Sequence, residues 1–407
     1  MKICIVSEYF YPDNFLINEI APELVRLGHE VTVLTGLPDY TTGRVPKEYR
    51  GFKKRHERIE GVDVIRVPTI ARREGGIFRL LNYFSFMFSA GCFSCFWKKS
   101  FDVVLTYQLS PITQVMAGYI LRKKKRIPHV IYCLDLWPAS VNAWGFFENS
   151  CIYKMAHLIS QWAYHHADCV AVSSRPFIEY LSEINGVDEE KVVYLPQHSR
   201  RMSIASHVVS TSHPLQPINL IFAGNVGSVQ NVECLIHAVA KVETQKAFLV
   251  HIYGSGSRLS VCKQLAEELE VTGKVIFHGR VPQVELNEIY SRMDALLLTL
   301  SPEREVGAIA KTVPAKFQNY LSTGKPIIAS IDGGAAEIIK ETQCGLVSVA
   351  GDILGLAKNI KDFIENPSDY SEFGKRGLAF FNENYTKEIF ISRLESILSN
   401  TYYIDEK

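Results

Sequence analysis

A lysine near the start of a predicted helix is well suited to bind an anion. The segment Thr312–Leu321 (TVPAKFQNYL) carries Pro314, and proline is favoured in the first turn of a helix. Lys316 then lies near the helix N-terminus, where free backbone amides attract phosphate groups. A cation at this end opposes the helix dipole. This mild cost favours a diphosphate-binding role over that of an exposed surface lysine.

Two glycine-rich turns follow predicted strands in the same half of the chain. Phe222–Asn231 (FAGNVGSVQN) carries Gly224 and Gly227, which free the backbone so that amides at a helix start can meet an anion. A plain turn explains one such glycine more easily than two. The second turn, Gly254–Leu259 (GSGSRL), lacks the third glycine of a dinucleotide fingerprint. We therefore expect a phosphate near Gly224, no NAD chemistry, and at Gly254 a tight turn that still lets the backbone approach a phosphate.

An acid follows a strand in the first half of the chain. Asp135 lies in Leu134–Pro138 (LDLWP), directly after a β-branched run. Parallel sheets bind ligands beyond the carboxyl ends of their strands, so Asp135 is a candidate to orient or deprotonate a substrate. Capping of the following helix explains the same acid equally well. Both interpretations stay open.

Alternating strands and helices place these residues at sheet edges. Apolar spacing predicts a helix over Phe15–Leu27, ended by Gly28. β-branched and apolar runs predict strands at Lys2–Ser7, Glu30–Thr35, Val62–Val67, Asp102–Thr106, His129–Cys133, Cys169–Ser173, Asn219–Ala223, Ala247–Tyr253, Lys274–Phe277, Ala295–Thr299 and Pro326–Ser330. This alternation is typical of doubly wound parallel sheets. We expect an α/β fold with two Rossmann-like domains.

The chain of 407 residues is too long for one ordinary core. The periodic pattern lapses over residues 197–217, which we interpret as a linker. We therefore expect an N-terminal domain over 1–200, a C-terminal domain over 218–385 and a C-terminal helix over 386–407, amphipathic at Lys387–Ser399.

Composition indicates a globular protein with reduced thiols. Hydrophobic residues make up 47% and charged residues 21% of the chain. Nine cysteines are scattered without a disulfide framework, which suits the cytosol. Cys92 and Cys95 form the only close pair in the sequence, and no second pair or nearby histidine completes a zinc set. The first apolar run is too short for a signal peptide. We expect no metal and no nucleic-acid partner.

The charge is uneven along the chain. Residues 1–126 carry 20 Lys and Arg against 12 Asp and Glu, whereas residues 127–407 carry 24 against 31. Lys98–Lys99 and Arg122–Arg126 contribute much of the excess. Such runs are usually solvated helix ends. Beside an apolar stretch they also suggest attraction to an anionic membrane surface or a pyrophosphate-bearing partner.

Residues 77–97 form that apolar stretch and are rich in aromatic side chains. Leu80–Trp97 contains 18 residues without a charge, close to the length that spans a bilayer. Asn82, three serines and the strands on both sides argue against a span. A helix partly buried in the domain, with an aromatic face docked on the membrane, is favoured over a pure core helix or a true span.

Six segments, in order along nearly the whole chain, resemble the GT-B glycosyltransferases of the large retaining family numbered four. They are Ser7–Pro12 (SEYFYP), Leu27–Thr35 (LGHEVTVLT), Ala223–Gly227 (AGNVG), Tyr253–Gly256 (YGSG), Phe277–Pro282 (FHGRVP) and Tyr320–Ile328 (YLSTGKPII). Gly36–Tyr40 (GLPDY) and Asp135–Pro138 (DLWP) look more narrowly like a bacterial branch related to fucosamine transferases of O-antigen and capsule assembly.

The resemblance implies two Rossmann-like domains facing a central cleft, with the donor bound by the C-terminal domain and the acceptor by the N-terminal one. The implied reaction retains anomeric configuration without an essential metal. The implied donor contacts are Gly224, Asn225 and Lys316 for the diphosphate, the backbone near Arg280 and Val281 for the nucleobase, and Asn319 at the ribose. Gly227 and Tyr320 are further expected donor-binding residues. Asp13 and Asn14 occupy the acceptor-side loop, and Asp135 with Lys316 are the implied catalytic residues.

The sequence departs from the family pattern at three places. Asn319 replaces the second of two spaced glutamates, and Lys311 stands at the first. Asp13–Leu16 replaces a glycine pair, and Leu134 replaces a histidine. The charge of the diphosphate then has to be balanced by Lys316, backbone amides and Arg304.

We expect transfer of a sugar from a nucleotide-sugar, a UDP-sugar, to a lipid-linked saccharide on the cytoplasmic face of the bacterial inner membrane, with the protein bound peripherally. Two alternatives stay open. A sugar-nucleotide epimerase on the same architecture needs neither acceptor nor membrane. A noncatalytic partner in polysaccharide assembly binds the nucleotide-sugar without turnover.

Overall fold

The computed structural model describes residues 1–51, 53–73, 75–199, 216–302, 304 and 307–405. Contacts within the chain divide it into two compact units. Unit 1 comprises Met1–Leu195 and Phe390–Lys407, and unit 2 comprises Pro196–Ile389. Of the linker expected at residues 197–217, residues 200–215 lie outside the described part.

Unit 1 is built on an eight-stranded sheet in the order β3-β4-β2-β1-β5-β6-β7-β8. Only β3 runs antiparallel to its neighbour in this sheet as described. The strands are β1 (Lys2–Val6), β2 (Glu30–Thr35), β3 (His56–Ile59), β4 (Val62–Arg66), β5 (Val103–Gln108), β6 (His129–Cys133), β7 (Cys169–Val172) and β8 (Val192–Tyr194). The helices in residues 1–195 are α1 (Ile17–Arg26), α2 (Gly76–Phe96), α3 (Val115–Lys125), α4 (Cys151–His165) and α5 (Pro176–Asn185).

Unit 2 contains a six-stranded parallel sheet in the order β11-β10-β9-β12-β13-β14. Its strands are β9 (Ile218–Ala223), β10 (Phe248–Tyr253), β11 (Val275–Gly279), β12 (Ala295–Thr299), β13 (Ile327–Ser330) and β14 (Gly345–Ser348). Its helices are α6 (Val232–Lys241), α7 (Leu259–Glu268), α8 (Gln283–Ser291), α9 (Ala315–Ser322), α10 (Gly333–Thr342), α11 (Ile353–Glu365) and α12 (Ser371–Asn384). The final helix, α13 (Lys387–Asp405), returns the chain to unit 1 at Phe390.

Each sheet is apolar on both faces, as parallel sheets covered by helices require. In β1, Ile3 and Ile5 belong to one hydrophobic cluster and Cys4 and Val6 to another. Strand β9 divides in the same way, with Leu220 and Phe222 in one cluster and Ile221 and Ala223 in the other. The α/β fold class with two doubly wound units is therefore confirmed.

Three strands escape sequence reasoning. β3 (HERI) carries two consecutive charged residues, Glu57 and Arg58, and β8 (VVY) is three residues long. β14 (GLVS) begins at a glycine, and all four of its residues are only partly buried. All three are edge strands: β3 and β8 in the first sheet, and β14 in the second. An edge strand has one strand neighbour, so its sequence does not have to be continuously apolar.

Helix α2 separates the aromatic stretch into two faces. Tyr83 and Phe86 are buried. The opposite face exposes a row at helical spacing, here called the α2 stripe: Ile77, Leu81, Phe84 and Phe88. The buried Asn82, which argued against a span, donates from Nδ2 to Oδ2 of Asp39 (3.0 Å). Across the described residues, no helix combines the length and apolarity needed to cross a bilayer.

The basic residues around α2 are partly committed to intramolecular bonds. Lys99 Nζ donates to Oδ2 of Asp63 (3.0 Å) and pairs with Glu30 (3.0 Å). Nζ of Lys124 and of Lys125 donate to carbonyl oxygens at the end of α2, at 2.8 and 2.6 Å. These lysines therefore satisfy helix carbonyls, the ordinary role for cations at a helix C-terminus.

Candidate functional site

A cavity of about 330 Å³ opens at the carboxyl ends of three neighbouring strands in unit 2. The turns after β9, β10 and β11 form its walls. Among the residues that line it are Ala223, Gly224, Asn225, Tyr253, Ser255, Arg280 and Val281. Four of these, Gly224, Asn225, Arg280 and Val281, are residues that the sequence singled out. The cavity lies where doubly wound sheets bind ligands.

Glycines allow two of these turns to interlock. A Cβ at Gly254 would stand 1.8 Å from the carbonyl oxygen of Gly224, and one at Gly256 would stand 2.3 Å from that of Val226. The amide of Val226 donates to the carbonyl of Ser255 (2.9 Å), which fastens the turns together. The Gly254 turn is therefore a wall of the same cavity as well as a tight turn.

The ammonium group of Lys316 lies against Gly224. A Cβ on Gly224 would come within 2.7 Å of Nζ, and Gly224 has φ +144°, so a side chain is excluded twice. Nζ stands 3.6 Å from the centre of the Phe222 ring, is shut off from solvent, and has no hydrogen-bond partner among the described residues. Burial lowers the pKa of Lys316 to about 7. The exposed-lysine interpretation is thus wrong.

The start of α9 is open for an anion. Pro314 precedes the helix as its N-cap residue, one position earlier than the sequence predicted, and no side chain caps the first turn. Lys316 is the second residue of α9, so an anion that meets its ammonium group also faces uncapped amides.

Gly227 lies beside a side-chain bridge in the turn after β9. The next helix, α6, starts at Val232, and Oδ1 of Asn231 caps it by accepting from the amide of Cys234 (3.3 Å). Nδ2 of Asn225 donates to Oε1 of Gln230 (2.9 Å), and a Cβ at Gly227 would lie 2.7 Å from that nitrogen. Gly227 leaves room for this side-chain bridge, while the α6 terminus is already capped.

Asn319 and Tyr320 are not among the residues that line the cavity. Tyr320 is fully buried, and its hydroxyl accepts from the amide of Ala223 (3.0 Å). Tyr320 therefore fixes Ala223, a residue that lines the cavity, from the core side of the sheet. Oδ1 of Asn319 accepts from the hydroxyl of Ser199 (2.7 Å).

In unit 1, Asp13 organises a loop. Its carboxylate accepts from the amides of Asp39, Tyr40 and Thr41 at 3.0–3.1 Å and from the Thr41 hydroxyl (2.6 Å). These bonds engage both oxygens of the buried side chain. Asn14 beside it is exposed. The geometry therefore gives Asp13 a structural task in shaping the loop after β2.

Asp135 follows β6 and bridges to the next turn. Its Oδ2 accepts from the amide of Ser110 (2.8 Å), which follows β5. The short helical segment after it has Pro138 as its N-cap residue, and no side chain caps it. The helix-cap interpretation is therefore wrong, and the carboxylate stands at the strand edge.

Sequence reasoning missed a buried polar cluster at the same edge of unit 1. Glu8 follows β1, and both of its carboxyl oxygens are shut off from solvent without a hydrogen-bond partner. The Tyr9 hydroxyl lies near this carboxyl but donates to Oδ1 of Asn82 (3.3 Å) and accepts from Arg72 (3.0 Å). Asp39 accepts from the amide of Arg72 (2.8 Å). An acid directly after an apolar strand was the available signal, as at Asp135.

Burial dominates the electrostatics of this cluster. It raises the pKa of Glu8 well above its ordinary value, and the nearby Asp39 raises it further. Burial also raises the pKa of Asp39 to about 6, although the bond from Arg72 opposes this. Burial therefore favours the protonated, neutral form of Glu8. Over the described ranges, no three His, Cys, Asp or Glu side chains are grouped as metal ligands would be.

Two family models match successive parts of the chain. The glycosyl transferase 4-like domain matches residues 16–198, and the glycosyl transferases group 1 model matches residues 205–379. The chain is 26% identical to the probable glycosyltransferase WbjE of Pseudomonas aeruginosa, over 72% of this chain and 73% of that protein. It is 24% identical to the putative colanic acid biosynthesis glycosyl transferase WcaI of Escherichia coli, over 80% and 82%.

A solved structure shares the two-sheet architecture. Anabaena Alr3699/HepE in complex with UDP superposes with a TM-score of 0.69 at 14% identity, covering 98% of this chain and 100% of that one. At this identity the likeness concerns the fold.

The buried Glu8 carboxyl predicts a pH-dependent effect of Glu8→Gln on stability. Above the unfolded-state pKa, the unfolded chain releases a proton that the folded chain retains, so wild-type stability falls as pH rises. Glutamine removes this loss. We expect Glu8→Gln to raise the melting temperature by a few degrees at pH 8 and by less at pH 5, in scanning calorimetry.

The exposed Glu48→Gln in the same unit is the control, and its melting temperature should follow wild type at both values of pH. A Glu8→Gln shift that is equal at pH 5 and pH 8 would contradict the buried neutral carboxyl.

Proposed function

This chain is a glycosyltransferase of the GT-B fold, and we propose that it transfers a sugar from a nucleotide-sugar donor, with retention of configuration, to a lipid-linked saccharide. The observation that carries the donor assignment is the buried ammonium group of Lys316, which has no hydrogen-bond partner in the described part of the chain and stands near the cavity residue Gly224 in unit 2. A buried cation without an acceptor is a site prepared for an anion.

Lys316 suits the chemistry of donor cleavage. Breaking the anomeric bond leaves a nucleoside diphosphate with additional negative charge. A fixed ammonium group and the uncapped amides of α9 stabilise that charge as it develops, without reorganisation. The positive charge of Lys316 can stabilise the leaving diphosphate as a divalent cation does in metal-dependent enzymes, which supports a reaction without an essential metal.

The cavity is suited to the nucleoside. Arg280 and Val281 lie in its wall after β11, near Tyr253. The solved HepE structure holds UDP on the same fold, which supports a uridine nucleotide here. Thermal stabilisation of the protein by UDP, GDP, ADP and dTDP tests this directly, and we expect the largest shift with UDP.

Unit 1 supplies the acceptor side of the proposal. Asp135 stands at the edge of the sheet with one carboxylate oxygen fixed by Ser110. In this role it orients the acceptor hydroxyl or takes its proton. The similarity to WcaI, a putative colanic acid transferase, supports an acceptor in bacterial surface polysaccharide assembly, of the O-antigen or capsule type.

The α2 stripe supports peripheral attachment to the cytoplasmic face of the inner membrane. Phe88 is 64% exposed, and Phe96 near the helix end is 84% exposed. Lys124 Nζ lies 5.9 Å from the Phe96 ring centre, so a cation stands beside the exposed aromatic surface. Aromatic side chains with neighbouring lysines are typical of helices that lie in the interface of an anionic bilayer.

We predict that Lys316→Ala leaves the fold intact and lowers the rate of transfer on the order of 10²–10³-fold, since one charge-assisted contact to the leaving group is lost. In the wild-type protein, binding of UDP should weaken about tenfold between pH 6 and pH 8. The pKa of Lys316 is about 7 without ligand, so the lysine loses its charge over this range and has to take up a proton when the diphosphate binds. Calorimetry in buffers of different ionisation enthalpy measures the proton taken up.

Lys274→Ala is the matched control. Its Nζ also lies over a phenylalanine ring, 5.2 Å from the ring centre of Phe248. Lys274 stands at the amino end of β11, whereas the cavity lies at the carboxyl ends of the strands. It should keep wild-type transfer and pH dependence. Turnover above half of wild type in Lys316→Ala would remove the proposed role.

Asp135→Asn should lower transfer on the order of 10²-fold while the melting temperature stays within a degree or two of wild type. The asparagine oxygen still accepts from Ser110, so the turn is kept and only the charge is lost. Steady-state kinetics with donor and acceptor varied separately measure the effect. Normal activity at normal stability would reduce Asp135 to a structural link between two turns.

The pair Phe84→Ser and Phe88→Ser should weaken binding to anionic vesicles at least tenfold, because two apolar side chains no longer enter the interface. Cosedimentation at low salt measures binding, and high salt should release part of the wild-type protein. Leu354→Ser, at an equally exposed apolar residue of unit 2, is the control. Equal wild-type binding to neutral and anionic vesicles would remove the electrostatic contribution.

A further inference from the structure

A second cavity, of about 1000 Å³, lies in unit 1 between the loop after β2 and the loop after β4. Three arginines line it: Arg44 and Arg50 from the first loop, and Arg73 from the second. No acidic side chain of the described residues lines the cavity or forms an ion pair with these arginines. Nε of Arg50 donates to the carbonyl of Val45 (2.8 Å). Among the described residues that line the cavity, every charged side chain is therefore an arginine.

The two loops are fixed to each other by the carboxylates described above. Asp13 holds the amides of residues 39–41, and Asp39 in turn holds the amide of Arg72. Gly43 has φ +66°, and a Cβ there would stand 3.1 Å from the carbonyl oxygen of Arg72. The backbones that carry Arg44 and Arg73 are thus held close together before any ligand binds.

An exposed apolar surface begins beside this cavity. The Arg73 guanidinium lies 5.4 Å from the centre of the Phe78 ring, in the first turn of α2. Ile77, one residue earlier, starts the α2 stripe and is 75% exposed. Guanidinium forks match the oxygens of phosphate esters, and the stripe offers a path for a hydrocarbon chain. Together they fit a ligand that joins a phosphate to a lipid.

We propose that the Arg44–Arg50–Arg73 cavity binds the phosphate or diphosphate that links the acceptor saccharide to its lipid carrier. This inference rests on the lipid-linked acceptor of the proposed function. It adds that the protein binds this acceptor through its phosphate or diphosphate. A phospholipid headgroup presents the same chemistry, and the experiment distinguishes the two sources.

The probe is farnesyl diphosphate, titrated calorimetrically into the full chain, with farnesol as the ligand without phosphate. Arg44→Gln with Arg73→Gln, which spares the Arg50 bond to Val45, should weaken binding of farnesyl diphosphate at least tenfold. Farnesol should bind weakly and equally to both proteins. The control pair Lys2→Gln and Arg58→Gln removes the same charge elsewhere in unit 1 and should bind as wild type does.

A far-UV circular dichroism spectrum and a melting temperature like those of wild type verify that unit 1 of the variant is folded, and stabilisation by UDP reports on unit 2. Unchanged binding of farnesyl diphosphate in a folded variant would overturn the proposal. If that binding is unchanged while binding to anionic vesicles weakens, the cavity holds a phospholipid headgroup and the acceptor assignment is overturned. A third outcome separates the two proposals. If the variant loses binding of farnesyl diphosphate but the wild-type enzyme glycosylates no lipid-linked saccharide, the cavity binds a lipid phosphate and the proposed function is refuted.

Discussion

An ammonium group that is cut off from water and has no acceptor is costly to keep in a folded protein, because neither solvent nor a counter-ion stabilises its charge. Within the described ranges of the chain, Lys316 is in this position, and the local structure of unit 2 accommodates it. Gly224 has φ +144°, which strains any other residue, and a Cβ there would displace the end of the Lys316 side chain. The Phe222 ring supplies weak compensation from one side. A diphosphate would supply the missing charge, so the site is most favourable when occupied.

Unit 1 handles charge in the opposite way. Asp13 is surrounded by amides and a hydroxyl, so its buried carboxylate is satisfied and fixes the backbone around it. Asp39 likewise accepts from the amide of Arg72 and fixes the loop after β4. The carboxyl oxygens of Glu8 have no hydrogen-bond partner among the residues that the structure describes, and burial raises the pKa of Glu8, which favours its neutral form. Asp13 and Asp39 therefore fix the loops, and the charged side chains that line the cavity of unit 1, among the described residues, are Arg44, Arg50 and Arg73.

Much of the architecture follows from periodicity, because buried parallel strands need continuous apolar runs. The cavity in unit 2 could also be anticipated, since Gly224 and Arg280 follow strands directly. What sequence alone could not provide was the direction of each side chain. Tyr320 points into the core and Asn319 toward Ser199, although both neighbour Lys316 in α9. The Gly254 turn belongs to the site through contacts with Val226, which lies far from it in sequence. Such contacts are created by the fold and leave no local pattern.

The return of the last helix to unit 1 has a consequence for synthesis of the protein. Phe390, Leu394 and Leu398 of α13 are buried in the same cluster as Ile3 and Val33. During translation, the N-terminal unit therefore emerges first but lacks part of its core until residue 398 has left the ribosome. Unit 2, whose residues are contiguous, can complete its own core earlier. The unit made first is finished last, and its incomplete apolar surface is a natural target for chaperones on the nascent chain.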